Sequence, residues 1–186
     1  MTEINDISEK LPEPVLNFIL QWGELGGAWG VNRSIGQIHA LLYAADKPMT
    51  ADQIVDRLGI ARSNVSNSLK ELVSWKLVRR VPIQGERKEH FAAETDLWEI
   101  AALIAKGRKE REIDPAMEVL QACSEQAQND PNVDPAVKQR LEDMHEFIAS
   151  VDKWFDQMMK LSRGQREMML KLGSRVVSLL PGSKEK

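Results

Sequence analysis

Residues 49–91, MTADQIVDRLGIARSNVSNSLKELVSWKLVRRVPIQGERKEHF, decide the fold. Thr50 is a good N-cap for a short helix whose apolar positions are Ile54, Val55 and Leu58. Gly59 supplies its C-terminal stop, because glycine alone enters the left-handed backbone region without a steric penalty. A second helix spans roughly Arg62 to Trp75, with Val65, Leu69, Leu72 and Val73 pointing inward. Leu77 to Ile83 then reads as a β-strand, Gln84-Gly85-Glu86 as a turn, and Lys88 to Ala92 as the returning strand. Two short helices across a tight turn, followed by a basic hairpin, form the pattern of a winged helix-turn-helix.

Charge singles out the same stretch. The formal net charge of the chain is −3. Between Gly59 and Ala92, Arg62, Lys70, Lys76, Arg79, Arg80, Arg87 and Lys88 outnumber Glu71, Glu86 and Glu89, giving +4 there and −7 elsewhere. A basic island in an acidic chain suits an anionic partner at one face. The outward positions of the second helix are Arg62, Ser63, Asn64, Ser66, Asn67 and Lys70, small or basic side chains that fit a major groove. Asn can pair bidentately with adenine and Arg with guanine, while Ser and Lys hold phosphates. At the hairpin tip, Arg87 and Lys88 beside Gly85 suit a minor groove or a flanking phosphate. The competing reading is a helical core with a solvated polar face.

Upstream, Pro12 and Pro14 open a helix with Val15, Phe18, Ile19 and Trp22 on its apolar side. It runs into Gly23, Gly26, Gly27 and Gly30, which predict either a break that acts as a hinge or a tight packing spot. A helix from about Asn32 to Ala45 follows. Downstream of the hairpin, an amphipathic stretch runs from about Thr95 to Ile113, and Asp114-Pro115 and Asp134-Pro135 each read as an N-cap before a first-turn proline. After Asp134, Val137, Leu141, Met144, Ile148, Val151, Phe155 and Met158 alternate steps of four and three, the signature of a coiled-coil seam. Leu141, Met144, Ile148, Val151, Phe155 and Met158 are the expected dimer seam, although the same repeat could pack against helices of its own chain. A last helix reaches Leu180 before Pro181-Gly182. The expected divisions are 1–30 for the first helix and glycine hinge, 31–93 for the DNA-binding domain, and 94–186 for a linker helix and helical dimerisation region.

Other classes of function find little support. The 186 residues are 42% hydrophobic and 28% charged, which excludes wholesale disorder. No apolar run approaches membrane-spanning length, and Met1 to Glu9 lack the basic and apolar regions of a secretory signal. Cys123, the single cysteine, has no CxxC partner and fits a reducing cytoplasm. His39, His90 and His145 share no metal-ligand spacing, and P-loop, GxSxG and HExxH motifs are missing, so neither an enzyme nor a metal or other cofactor is expected.

The 49–91 run resembles the winged-helix repressors of the MarR superfamily. Its flanks, GELGGAWGVNRSIGQIHALLY (23–43) and AAETDLWEIAALIAKGRKEREIDP (92–115), look like the GbsR branch in particular. The resemblance covers about Leu16 to Leu120. It implies that Arg62 to Lys70 form the recognition helix and Gly85 to Lys88 the wing tip, with Glu86 standing where such wings often carry aspartate. It also implies an osmolyte-type effector bearing a quaternary ammonium group, for which Trp22, Trp29 and Trp98 are the candidate cage. Plain core packing is the alternative for these rings. The resulting expectation is a mainly α-helical, cytoplasmic homodimer that regulates transcription by binding a palindromic operator in double-stranded DNA. A helical protein–protein interaction module whose winged helix never touches DNA is the alternative.

Overall fold

The computed structural model describes residues 11–177. Expectations that concern Met1 to Glu9 or the end of the last helix at Leu180 to Gly182 lie outside the described residues. The chain forms two compact units, 1–104 and 105–186, each described by itself below.

In the first unit, helix α2 (Arg33–Ala44) is the central element. Ile35, Gly36, Ile38, His39, Ala40, Leu41 and Leu42 are all buried, more than one helical face can supply, so neighbours enclose it on several sides. Asn32 caps its start by accepting from the Ser34 amide at 2.9 Å. Helix α1 (Glu13–Ala28) crosses α2, and helices α3 (Ala51–Leu58) and α4 (Arg62–Ser74) pack on its other sides.

The α1–α2 crossing explains Gly23 and Gly36. Helix α1 runs without a break through Gly23, Gly26 and Gly27, so of the two readings of this cluster, a hinge or a tight packing spot, the structure has the second. A Cβ on Gly36 would sit 3.0 Å from both the Gly23 Cα and the Trp22 carbonyl oxygen, and one on Gly23 would meet the Gln37 side chain at 2.6 Å. Close backbone approach compensates for the low helix propensity of glycine, and only Gly30, with φ +77°, lies beyond the helix end.

A small antiparallel sheet closes the unit in the order β1-β3-β2. The hairpin strands β2 (Val78–Val81) and β3 (His90–Ala93) are shorter than the periodicity predicts, since Pro82 cannot donate to a ladder. The additional strand β1 (Met49–Thr50) pairs with β3 through Met49–Phe91 and Thr50–His90. Helix α5 (Leu97–Arg108) begins on a cap in which Asp96 accepts from the Trp98 amide at 2.9 Å.

The second unit departs from expectation at Asp114. Helix α5 continues through a π-helical turn, Lys109–Ile113, directly into α6 (Asp114–Asn129), so Asp114 is helical and caps nothing. A proline in a continuous helix removes one hydrogen bond and crowds the preceding turn, and the wider π turn before Pro115 absorbs that conflict. Asp114 instead accepts from Lys109 Nζ at 2.6 Å, and Asp152 lies 2.7 Å from the same ammonium. Asp134 does cap α7 (Pro135–Lys160), accepting from the Ala136 amide at 2.7 Å.

Helices α6 and α7 run antiparallel, tied by Ser124 Oγ donating to Glu142 at 2.7 Å and by the Lys109–Asp152 pair. Glu142 thus faces α6. Helix α8 (Arg163–Val177) ends the described chain.

Burial of His39 makes a testable statement about stability. The ring is 5% exposed, its Nε2 has no hydrogen-bond partner, and desolvation pushes its pKa down from 6.5 to about 4. Between those values the unfolded chain binds the proton more readily, so stability falls as pH falls. The unfolding free energy should lose up to about 3 kcal/mol from this group between pH 6.5 and 4, and none above that range. Denaturant titrations across pH should show His39→Leu without this part of the slope; an unaltered slope excludes the assignment.

Candidate nucleic-acid interface

The helix-turn-helix is built by local chemistry. Thr50 Oγ1 accepts from the Gln53 amide at 3.3 Å while Gln53 Oε1 accepts from the Thr50 amide at 2.8 Å, a reciprocal capping box. Gly59, with φ +64°, ends α3 in the left-handed conformation and turns the chain into α4. Val65, Ser68, Leu69 and Leu72 then bury one face of α4 against α2 and α3.

The opposite face carries the side chains expected to meet DNA. Arg62, Ser63, Ser66, Asn67 and Lys70 are exposed. Asn64 differs: it is half-buried, and its Nδ2 donates to Ser34 Oγ at 2.9 Å, tying α4 to the start of α2. The wing stands beside this face. Gly85, with φ +85°, lies at the tip, and Arg87 and Lys88 are exposed. At its base His90 is buried and its Nδ1 donates to the Lys88 carbonyl at 3.0 Å.

One acid joins these parts. Asp52, in the first turn of α3, pairs with Arg62 and accepts from Lys88 Nζ at 2.9 Å. Arg62, Ser66, Lys70, Arg80 and Lys88 therefore line one cleft between α4 and the wing, with Arg80 paired to Glu89 at 3.2 Å. Asp52 was missing from the sequence expectations, because nothing in the local pattern tells that an acid 10 residues before Arg62 and 36 before Lys88 lies between them.

The expected effector rings are placed differently from one another. Trp22 packs on Phe18 and His39, with ring centroids 5.7 and 6.4 Å apart, and Tyr43 contacts both Phe18 and His39. Trp29 is 52% exposed and Trp98 half-buried, and among the described residues Trp98 makes no ring contact. Phe18 lies on the apolar side of α1 that the periodicity gives for Trp22, whereas His39 reaches Trp22 only because α2 crosses α1.

The heptad seam divides in two. Leu141, Ile148, Phe155 and Met158 are half-buried. Met144 and Val151 are exposed and share a stripe with Val137, Phe147 and Trp154, the last two 69% and 57% exposed and outside the expected seam. A 26-residue helix with no fully buried residue leaves this apolar stripe open. Cys123 is exposed. Among the described residues no group of three or more His, Cys, Asp or Glu could hold a metal ion, and no helix is long and apolar enough to cross a membrane.

Comparisons with known proteins agree with this geometry. The MarR family model matches residues 29–89, the segment from the end of α1 to the wing. The HTH-type transcriptional repressor GbsR of Bacillus subtilis (strain 168) is 24% identical over 137 residues, covering 72% of this chain and 76% of that protein. The HTH-type transcriptional repressor OpcR of the same organism is 22% identical over 71 residues, 38% of each chain. A crystal structure described as a transcriptional regulator superimposes with a TM-score of 0.62 at 16% identity, covering 78% of this chain and 95% of its own, a likeness of fold. The matched segment coincides with the winged helix-turn-helix, so residues 29–89 form a MarR-like DNA-binding fold, and the chain is similar to helix-turn-helix transcriptional regulators such as GbsR.

Proposed function

We propose that the chain is a ligand-responsive repressor that binds a palindromic operator in double-stranded DNA as a cytoplasmic homodimer. The observation that carries this reading is the shared cleft of α4 and the wing, with exposed Arg62, Ser63, Ser66, Asn67 and Lys70 beside Arg87 and Lys88. In this reading α4 enters the major groove, where Asn67 and Arg62 read base edges, and the wing meets phosphate or minor groove. Asn64 works mainly by fixing α4 to Ser34. Two copies present two such helices to half-sites about one DNA turn apart, which matches the two-fold symmetry of a palindrome.

The dimer is formed through the open apolar stripe of α7, Val137, Met144, Phe147, Val151 and Trp154, with the half-buried Leu141, Ile148, Phe155 and Met158 behind it. Exposed aromatic and Met side chains at heptad spacing support this, since a soluble monomer gains nothing from them. The proposed effector is a small quaternary ammonium compound, supported by the likeness to GbsR-type regulators and by the rings around Trp22, with Trp29 and Trp98 as further candidates. His39 remains neutral above pH 6.5 and so does not repel a cation there. Binding shifts the equilibrium between DNA-competent and DNA-incompetent spacing of the two reading helices.

Salt-dependent duplex binding tests the reading directly. Wild-type protein should select a palindrome from a random library, and its affinity should fall steeply with salt as counterions compete for the phosphates. Asn67→Ala and Arg62→Ala should each cost about 1–3 kcal/mol at that site and relax base preference. A chain that binds no duplex at low salt is instead an interaction module.

The dimer seam is tested by Trp154→Glu. Sedimentation should show a folded monomer with weakened operator binding, whereas Ile148→Glu, with its half-buried side chain, should also unfold the second unit. A dimeric Trp154→Glu protein rules the open stripe out.

Tryptophan fluorescence tests the effector. Choline and glycine betaine should quench saturably where a neutral isostere does not, and Trp22→Ala should abolish the response. Equal response to the neutral compound excludes a cation cage.

A further inference from the structure

Asp52 holds two of the cations assigned to DNA, one from each reading element. Its carboxylate pairs with Arg62, the first residue of α4, and accepts from Lys88 Nζ of the wing at 2.9 Å. Its own position is favourable, because an acid in the first turn of a helix of eight residues faces the positive end of the helix dipole. Side-chain exposures are 35% for Asp52, 69% for Arg62 and 65% for Lys88, so solvent reaches both pairs. Exposed pairs of this kind are weak and exchangeable.

We propose that Asp52 is a specificity-determining residue: it restrains Arg62 and Lys88 in one geometry and keeps them from gripping phosphates indiscriminately. This rests on the duplex-binding reading above. Non-specific binding to DNA comes almost wholly from neutralising phosphates, and flexible basic side chains take whichever phosphate is nearest. A carboxylate beside them competes with those phosphates on every sequence. At a matched site the situation differs. Arg62 uses Nη1 toward Asp52, which leaves Nε and Nη2 available for a base edge, and Lys88 spends one of three ammonium protons. The restrained cations can therefore act in place at the operator, but must leave Asp52 to follow an arbitrary backbone. Discrimination grows by weakening the wrong complex more than the right one.

The experiment compares wild type, Asp52→Asn and Asp52→Glu on two duplexes, the site selected by the wild type and a scrambled duplex of equal length, over a salt series. For Asp52→Asn on scrambled DNA, binding at low salt should tighten by about 3- to 10-fold. The slope of log K against log salt should steepen by about 1–2 units, one for each cation released to phosphate. Affinity for the selected site should change less, so the ratio between the two duplexes falls. Asp52→Glu, which keeps the charge, should stay near wild type. In an Arg62→Met/Lys88→Met background, Asp52→Asn should no longer alter the slope, which separates action through these cations from a general loss of structure. Circular dichroism melts verify folding, and Asp52→Ser, which retains a helix-starting side chain, carries the same expectation should the asparagine perturb α3. If the wild type binds and Asp52→Asn and Asp52→Ser match it in slope and ratio, the role of Asp52 is overturned while DNA binding stands. If the wild type binds no duplex, both fall.

Discussion

The first unit depends on how closely its backbone can pack around α2. A helix buried on several sides needs neighbours at short range, and at Gly36 the facing backbone of α1 comes so near that a Cβ would press on it at 3.0 Å. Ile19 of α1 and Ile38 of α2 are fully buried, as is Ile54 of α3. Val65 and Leu72 of α4 are buried in the same core, so the orientation of α4 follows from the packing of α2. Such enclosure also strands polar groups. His39 shares the buried helix, and its ring is held uncharged by the lack of water around it.

Fixing α4 from behind leaves its front free for chemistry. Its inner positions are apolar except for Ser68, and the outer ones are short, polar or basic. The wing is coupled to it twice. Thr50 is both the last residue of β1, paired with His90 at the wing base, and the cap of α3. Asp52, two residues on, reaches Lys88 and Arg62. Backbone pairing and charge pairing thus act on the same corner.

Much of this was legible in the sequence wherever the determining interaction is local. Thr50 with Gln53, Gly59, and Asp134 before Pro135 each specify structure within a few residues, and the structure has them in those roles. Apolar periodicity located α2, α4 and α7 for the same reason. What sequence reasoning missed depends on partners distant in the chain. The glycines of α1 read equally as a hinge or a tight packing spot until Gly36, across from Gly23, decides for packing. Asp114 looks like a cap until Lys109 and the π turn carry the helix past it. Asn64 reads as outward until Ser34, thirty residues earlier, takes its amide. In α7 a 3.5-residue repeat gives an apolar stripe but not which flank meets α6, and so overlooks the exposed Phe147 and Trp154. A two-residue strand such as Met49–Thr50 has no periodicity to detect.

The division of α4 into a buried and an open face has an evolutionary consequence. Arg62, Ser63, Ser66, Asn67 and Lys70 lie outside the core, and exposed positions of this kind usually tolerate exchange within a few tenths of a kcal/mol. In the proposed reading, target preference can therefore drift among descendants of this chain without a matching change in the scaffold. Asn64 and Asp52 are less free, since one ties α4 to α2 and the other serves two partners at once. Lineages that alter Arg62 or Lys88 face a choice at Asp52 as well, and paired changes at these positions are where diverging relatives should differ together.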